Sequence, residues 1–122
     1  MDRVKQIVNA QKIYRFGYSG KNVRIALLDT GVFLHKELAG KVAFFQDYVK
    51  GKNVIYDDNG HGTHIAGIMC GSKQGLAPDA ELVVFKILDY KGDGKTRDAL
   101  SALDWIMKYH KQYQIRIINF SM

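Results

Sequence analysis

The sequence predicts an α/β fold in which a parallel β-sheet carries helices on both faces. Short apolar runs alternate with stretches of helical periodicity, an order that is typical of parallel sheets. The nearly unbroken apolar run Val23–Leu28 indicates a strand buried on both faces. With 122 residues, the chain has the size of one domain at most.

The remaining elements follow from the same two patterns. Apolar residues at near-helical spacing predict a first helix over residues 3–14. Two further helices are predicted, from His61 to Gly71 with Asn59 or a neighbour as cap, and from Thr96 to His110. Three more apolar runs predict strands, over residues 42–45, 82–88 and 115–120. Polar stretches rich in turn residues are expected to be loops, at 32–41, 46–60 and 91–94.

Composition and charge argue against several classes of protein. The net charge is +6, but the 18 Lys and Arg residues are scattered, which indicates a solvated basic surface and no nucleic-acid partner. No apolar run is long enough to span a bilayer and no signal peptide is apparent, so we expect a cytoplasmic protein without a membrane partner. The single cysteine, Cys70, rules out an internal disulfide and is expected to lie in the core.

Two residues stand out as candidates for chemistry. Asp29 ends the first strand, where a buried carboxylate is costly unless it has a partner. His61 opens a helix, whose dipole disfavours the protonated imidazole and so favours a neutral base. Sites in open parallel sheets gather outside the carboxyl ends of strands. The pair is interpreted either as an aspartate–histidine dyad or as a structural cap and an ordinary helix histidine.

Two motifs carry a family resemblance. One is Asp29-Thr30-Gly31 after an apolar strand, and the longer and more specific one is His61-Gly62-Thr63-His64-Ile65-Ala66-Gly67. Together they strongly resemble the subtilisin-like serine peptidases. Three more segments are similar to that family, at 18–23, 75–80 and 118–121. The resemblance runs from about residue 4 to the last residue.

The resemblance implies a serine-type endopeptidase that hydrolyses peptide bonds with an Asp-His-Ser triad. Asp29 would be the triad aspartate and His61 the general base, while His64 would be a structural residue of the helix. The polypeptide substrate would lie as an added strand in a cleft. The residues implied to bind it are Gly92, Asp93 and Gly94 on one edge and Ser121 on the opposite wall.

The family's nucleophile motif, Gly-Thr-Ser-Met-Ala, does not occur in this sequence, nor does the Asn that stabilises the oxyanion. Ser121-Met122 mimics that motif only superficially, because Asn119-Phe120 precedes it. Residues 1–122 are therefore expected to be the N-terminal portion of a subtilisin-like domain, incomplete at its C-terminal end and inactive alone. The open sheet edge of such a portion would favour a complementing C-terminal portion or self-association.

Two other functions stay open at this point. The chain could be a non-catalytic remnant that binds a peptide or complements another fragment. Alternatively, Leu27-Leu28-Asp29-Thr30-Gly31 resembles the active-site turn of retroviral-type aspartic peptidases, short chains that dimerise. That family is nearly all β and has no place for the His61 motif or for a helix over 96–110.

The sequence shows no clear metal site, and no cofactor is expected. His61-x-x-His64 lacks the Glu and the spacing of the zinc peptidase motif. Members of the family often bind calcium in surface loops, and the candidate ligands here are Asp47, Asp57 and Asp58. A solvated acidic loop is the simpler interpretation of these three residues.

Overall fold

Four parallel strands form the centre of the structure, a computed structural model that describes residues 2–121. Met1 and Met122 lie outside the described residues. The strands lie side by side in the order β2-β3-β1-β4, so the first strand in the chain occupies an inner position. Their bounds are Arg24–Asp29 for β1, Val42–Asp47 for β2, Glu81–Lys86 for β3 and Ile115–Phe120 for β4.

Within residues 2–121, four helices accompany the strands. The prediction of a single helix over residues 3–14 is wrong. Asn9 adopts a left-handed conformation with φ of 57° and divides this stretch into two helices. Asparagine tolerates this conformation better than most residues do. The described helices are Asp2–Ile7 (α1), Ala10–Arg15 (α2), His61–Cys70 (α3) and Thr96–Tyr113 (α4). Among residues 2–121, none of them combines the length and the apolar content needed to cross a bilayer.

Both faces of β1 are buried, as the apolar run predicts. Ile25 and Leu27 pack in one core with Ala66 and Cys70 of α3. Ala26 and Leu28 pack on the other face, in a second core that includes residues of α4. Full burial of one such leucine stabilises the fold by about 1.5–3 kcal/mol. The predicted arrangement, a parallel sheet with helices on both faces, is confirmed.

Strand register brings charged residues together at the carboxyl edge of the sheet. Asp29 of β1 lies opposite Lys86 of β3, and Lys86 lies opposite Asp47 of β2. All three side chains are at least 98% buried, with exposed fractions of 0%, 0% and 2%. This edge therefore holds an unusual concentration of buried charge, and β1 presents its aspartate there.

The fourth strand pairs on one side only within the described residues. β4 is hydrogen-bonded to β1, and its other edge is open. Two of its apolar side chains are about half exposed, with values of 51% for Ile117 and 46% for Ile118, whereas Ile115 is buried. An open strand edge can accept a further strand.

Candidate active site

Asp29 and His61, the two residues singled out from the sequence, are in direct contact. His61 Nδ1 lies 2.9 Å from Asp29 Oδ1 and 3.1 Å from Oδ2. The Asp29 side chain is fully buried, whereas half of the His61 side chain is exposed. The carboxylate accepts a hydrogen bond from Nδ1–H, and in a neutral ring this bond selects the tautomer whose lone pair is on Nε2. That nitrogen can accept a proton from a group in the adjoining space.

The turn after β1 orients the Asp29 carboxylate. The Thr30 N–H donates to Asp29 Oδ1 at 2.7 Å. Gly31 follows with φ of +115°, and a Cβ at this position would run into the carbonyl of Tyr56. The sharp turn is therefore available to glycine and closed to larger residues.

The residues that follow Asp29 and His61 also bond to each other. The Gly62 N–H donates to Thr30 Oγ1 at 2.9 Å, and the Thr30 hydroxyl donates to Asp57 Oδ1 at 2.9 Å. A Cβ on Gly62 would collide with the Gly31 carbonyl, so glycine lets α3 approach the turn closely. The beginning of α3 is thus fixed directly against the end of β1.

The predicted cap at Asn59 or a neighbour is confirmed in position, since Gly60 is the N-cap residue of α3, but the capping acceptor is the side chain of Asp57. Its carboxylate accepts hydrogen bonds from the N–H groups of Asn59, Gly60 and Thr63 and from the Thr63 hydroxyl. Asn59 Oδ1 in turn accepts the N–H of His61 at 3.0 Å. Burial raises the pKa of Asp57, but the bonds from Thr63, Gly60 and Asn59 outweigh it and lower the pKa to about 2. The cap is therefore ionised at neutral pH.

A recess of about 270 Å³ lies beside His61. Two of the predicted substrate-binding residues, Gly92 and Ser121, line it together with the histidine. Asp93 and Gly94 border a neighbouring recess of about 190 Å³ instead, on the side of Tyr48. Gly92 and Ser121 therefore line the recess next to His61, whereas Asp93 and Gly94 line a different recess.

The loop that carries these residues is tightly folded. The Asp89 carboxylate accepts the N–H groups of Lys91 and Asp93, and the Asp89 N–H donates to the Asp93 carbonyl. Gly92 has φ of +83°, a conformation that favours glycine. The wall of the recess is therefore held by the loop's own hydrogen bonds.

Three of the four serine hydroxyls, those of Ser72, Ser101 and Ser121, have partners other than His61. Ser121 Oγ donates to Asn119 Oδ1 at 2.7 Å. Ser72 and Ser101 donate to backbone carbonyls, those of Glu37 and Arg97. Within residues 2–121 no serine hydroxyl is hydrogen-bonded to His61.

The interpretation of Asp47, Asp57 and Asp58 as a solvated acidic loop is wrong for Asp47, which is 2% exposed, whereas Asp57 is half-buried and Asp58 is exposed. Asp47 accepts three backbone N–H groups and the Tyr56 hydroxyl, and these bonds outweigh burial and lower its pKa. The Asp58 carboxylate accepts a hydrogen bond from the Lys86 ammonium. Oxygens that already face N–H and O–H donors do not fit a calcium site. More generally, the described part of the chain holds no group of three or more His, Cys, Asp or Glu side chains arranged for a metal.

One residue at the site was missed in the sequence. Lys86 is fully buried, and its ammonium donates to the carbonyls of Thr30 and Leu88 and to Asp58. The signal was available, because a charged residue in the apolar run 82–88 raises the same question as Asp29 does at the end of β1.

Comparisons with known proteins agree with this geometry. A sequence profile of the Subtilase family matches residues 20–122. Serine protease AprX of Bacillus subtilis strain 168 is 35% identical over 120 residues, covering 91% of this chain and 27% of AprX. Minor extracellular protease Epr of the same strain is 36% identical over 121 residues, covering 94% of this chain and 18% of Epr. A solved structure of a cold adapted subtilisin-like serine proteinase superposes with a TM-score of 0.69 at 35% identity, over 75% of this chain and 34% of that one.

The match covers nearly all of this chain but a small part of its relatives. The chain spans 27% of the length of AprX and 18% of that of Epr. The similarity includes both motifs, since the profile match begins before Asp29 and continues beyond His61. The chain belongs to the subtilase family.

Proposed function

We propose that this chain supplies the aspartate and the histidine of a subtilisin-like serine endopeptidase. The observation that carries the proposal is the contact between His61 Nδ1 and the buried carboxylate of Asp29, 2.9 Å apart beside an open recess. A carboxylate that orients a neutral imidazole is the arrangement that activates a serine hydroxyl. Family membership supports the same reaction class.

In the proposed reaction, His61 Nε2 takes the proton of a serine hydroxyl as that oxygen attacks the peptide carbonyl. Asp29 holds the imidazole in the required tautomer and stabilises the imidazolium that forms. The proton then passes from His61 to the leaving amine. An extended substrate would lie along Ser121 and Gly92 as an added strand. The serine is proposed to come from a segment outside these 122 residues, because the family's serine motif is absent from them.

A graft tests the proposal. Residues 20–121 replace the matching part of the cold adapted subtilisin-like proteinase, so that the relative contributes the serine. A fluorophosphonate probe, which labels only an activated serine, is expected to label the folded graft. Asp29→Asn should lower kcat by about 10⁴-fold and His61→Gln by about 10⁶-fold, the sizes that such losses have in serine peptidases with this triad.

The matched control is His64→Gln, because His64 is an exposed histidine on the same helix as His61. It is expected to leave labelling and kcat unchanged. The proposal would be contradicted by a graft that is folded, as shown by cooperative unfolding, but that the probe does not label. It would also be contradicted by labelling that survives His61→Gln. For the 122-residue chain alone, we expect no labelling of its four serines.

A second candidate function rests on the open edge of β4. This edge could bind an extended peptide or a complementing segment without catalysis, since Ile117 and Ile118 are about half exposed beside it. Backbone pairing would protect the amide protons of β4 from exchange with water. Hydrogen exchange of the chain with and without a candidate peptide therefore tests this function, and unchanged protection over residues 115–120 would argue against it.

A further inference from the structure

Lys86 is a fully buried cation at the carboxyl end of β3. Its ammonium donates to Thr30 O at 2.7 Å, to Asp58 Oδ1 at 2.7 Å and to Leu88 O at 2.8 Å. Three protons thus meet three acceptors, which accounts for the burial of a charge that would otherwise be costly.

The three acceptors belong to three segments that meet at the dyad. Thr30 directly follows Asp29, and Asp58 lies in the loop that leads into His61. Leu88 lines the recess beside His61. One ammonium group therefore connects the turn, the loop and the recess wall.

The bond to the Thr30 carbonyl affects Asp29 directly. The Thr30 N–H donates to Asp29 Oδ1, the same oxygen that lies 2.9 Å from His61 Nδ1. Because Lys86 holds the carbonyl of Thr30, it restricts rotation of the turn that presents this N–H. The Asp29 carboxylate is thereby kept in one orientation.

Stability of the fold is a weaker explanation for this arrangement. A buried ion pair can often be replaced by apolar residues without loss of stability, but apolar residues cannot supply directional bonds to three segments. We infer that Lys86 and Asp58 form a positioning pair, which holds the turn after Asp29 against the loop before His61 and so keeps the dyad at hydrogen-bond distance. This inference rests on the proposed function for the use of the dyad, but not for its geometry.

The test uses NMR of the full 122-residue chain to measure the tautomer of His61 and the opening of its hydrogen bond to Asp29. Ring ¹⁵N shifts of labelled histidine give the fraction of His61 in the Nδ1–H tautomer, and exchange with water reports how often the bond to Asp29 opens. In Lys86→Met the Nδ1 proton is expected to exchange about 10-fold faster or more, because a hydrogen bond to a charged group is lost. The fraction of the Nδ1–H tautomer should fall in the same variant.

Asp58 supplies a second and independent pair of variants. Asp58→Ala removes the acceptor and should act like Lys86→Met, whereas Asp58→Asn keeps an oxygen in its place and should stay close to the parent. The matched control is Lys50→Met, since Lys50 Nζ lies 3.9 Å from Asp58 Oδ2 on a side chain that is 51% exposed. It removes a neighbouring positive charge without a bond to Thr30.

The NMR results for these variants distinguish a positioning role of Lys86 and Asp58 from a role in stability or charge alone. Parental tautomer and exchange in both Lys86→Met and Asp58→Ala would overturn the inference, as would an equal effect of Lys50→Met. If Lys86→Met does not fold, the difference between Asp58→Ala and Asp58→Asn decides the question. The NMR readout requires no hydrolysis, so a folded graft without peptidase activity would contradict the proposed function and leave this inference standing.

Discussion

Thr30 Oγ1 accepts a hydrogen bond from the Gly62 N–H at 2.9 Å, and this bond joins the neighbour of Asp29 to the neighbour of His61. The same hydroxyl donates a hydrogen bond to Asp57, so it acts as both acceptor and donor. Thr30 is 1% exposed, and water cannot replace it. The separation of the two dyad residues therefore depends on a small side chain that carries out no chemistry.

Thr30→Val tests this dependence, because valine has nearly the same shape and lacks the hydroxyl. It leaves the buried Gly62 N–H without an acceptor and removes one donor from Asp57. We expect the free energy of unfolding in urea to fall by about 1–3 kcal/mol. Thr30→Ser keeps the hydroxyl and should lose much less, and equal losses in the two variants would contradict the assignment.

Gly62→Ala and Gly67→Ala form a matched pair on α3. At Gly62 a Cβ meets the carbonyl of Gly31, whereas at Gly67 it meets no atom within 4 Å. Overpacking should destabilise Gly62→Ala by about 1–3 kcal/mol. Gly67→Ala should stabilise the chain by up to about 1 kcal/mol through helix propensity. Thermal unfolding followed by circular dichroism measures both, and a reversed order would refute the close approach of α3 to the turn.

The pKa of Asp57 predicts a loss of stability in acid. Because folding lowers this pKa from 3.8 to about 2, the ionised carboxylate stabilises the fold above pH 4. That contribution, about 1–2 kcal/mol after allowance for solvent screening, is lost as the pH falls from 4 to 2. Asp57→Asn should be less stable than the parent at pH 7, and the difference should shrink over this range. A constant difference between pH 7 and pH 2 would contradict the role of Asp57 as an ionised cap.

The open edge of β4 predicts self-association that a charge can suppress. A lysine on an edge strand disfavours pairing with a second chain. Ile117→Lys should therefore shift the chain towards the monomer in sedimentation velocity. Ile7→Lys is the control, because Ile7 is 74% exposed on α1 and Ile117 is 51% exposed on β4. A similar shift in both variants would point to general solubility instead of edge pairing.

Asp29 and His61 could be found in the sequence because each is marked by its immediate neighbours. One is a charge that ends a buried strand, and the other is a histidine that opens a helix. The bonds of Lys86 could not be found in this way, since its acceptors come from three separate segments. Only the packed fold shows how a buried ammonium is satisfied.

The two wrong predictions, a single helix over residues 3–14 and a solvated acidic loop, also concern features that local sequence does not reveal. Asn9 is compatible with both a helix and a left-handed conformation, so local propensity could not reveal the break between α1 and α2. The acidic residues of 46–60 look solvated in a polar stretch. Their donors include backbone N–H groups, which every sequence contains and which no pattern of side chains reveals.

The inner position of β1 has a consequence for the order of folding. During synthesis β1 is made before both of its partners, and it cannot complete its pairing until β3 and then β4 have emerged. At about 5–20 residues per second, the ribosome needs roughly 5–20 s to proceed from Asp29 to Phe120. Throughout that interval at least one edge of β1, which carries four consecutive buried apolar residues, lacks its native partner. Unpaired strand edges of this kind make a nascent chain prone to association with other chains until the native neighbours arrive.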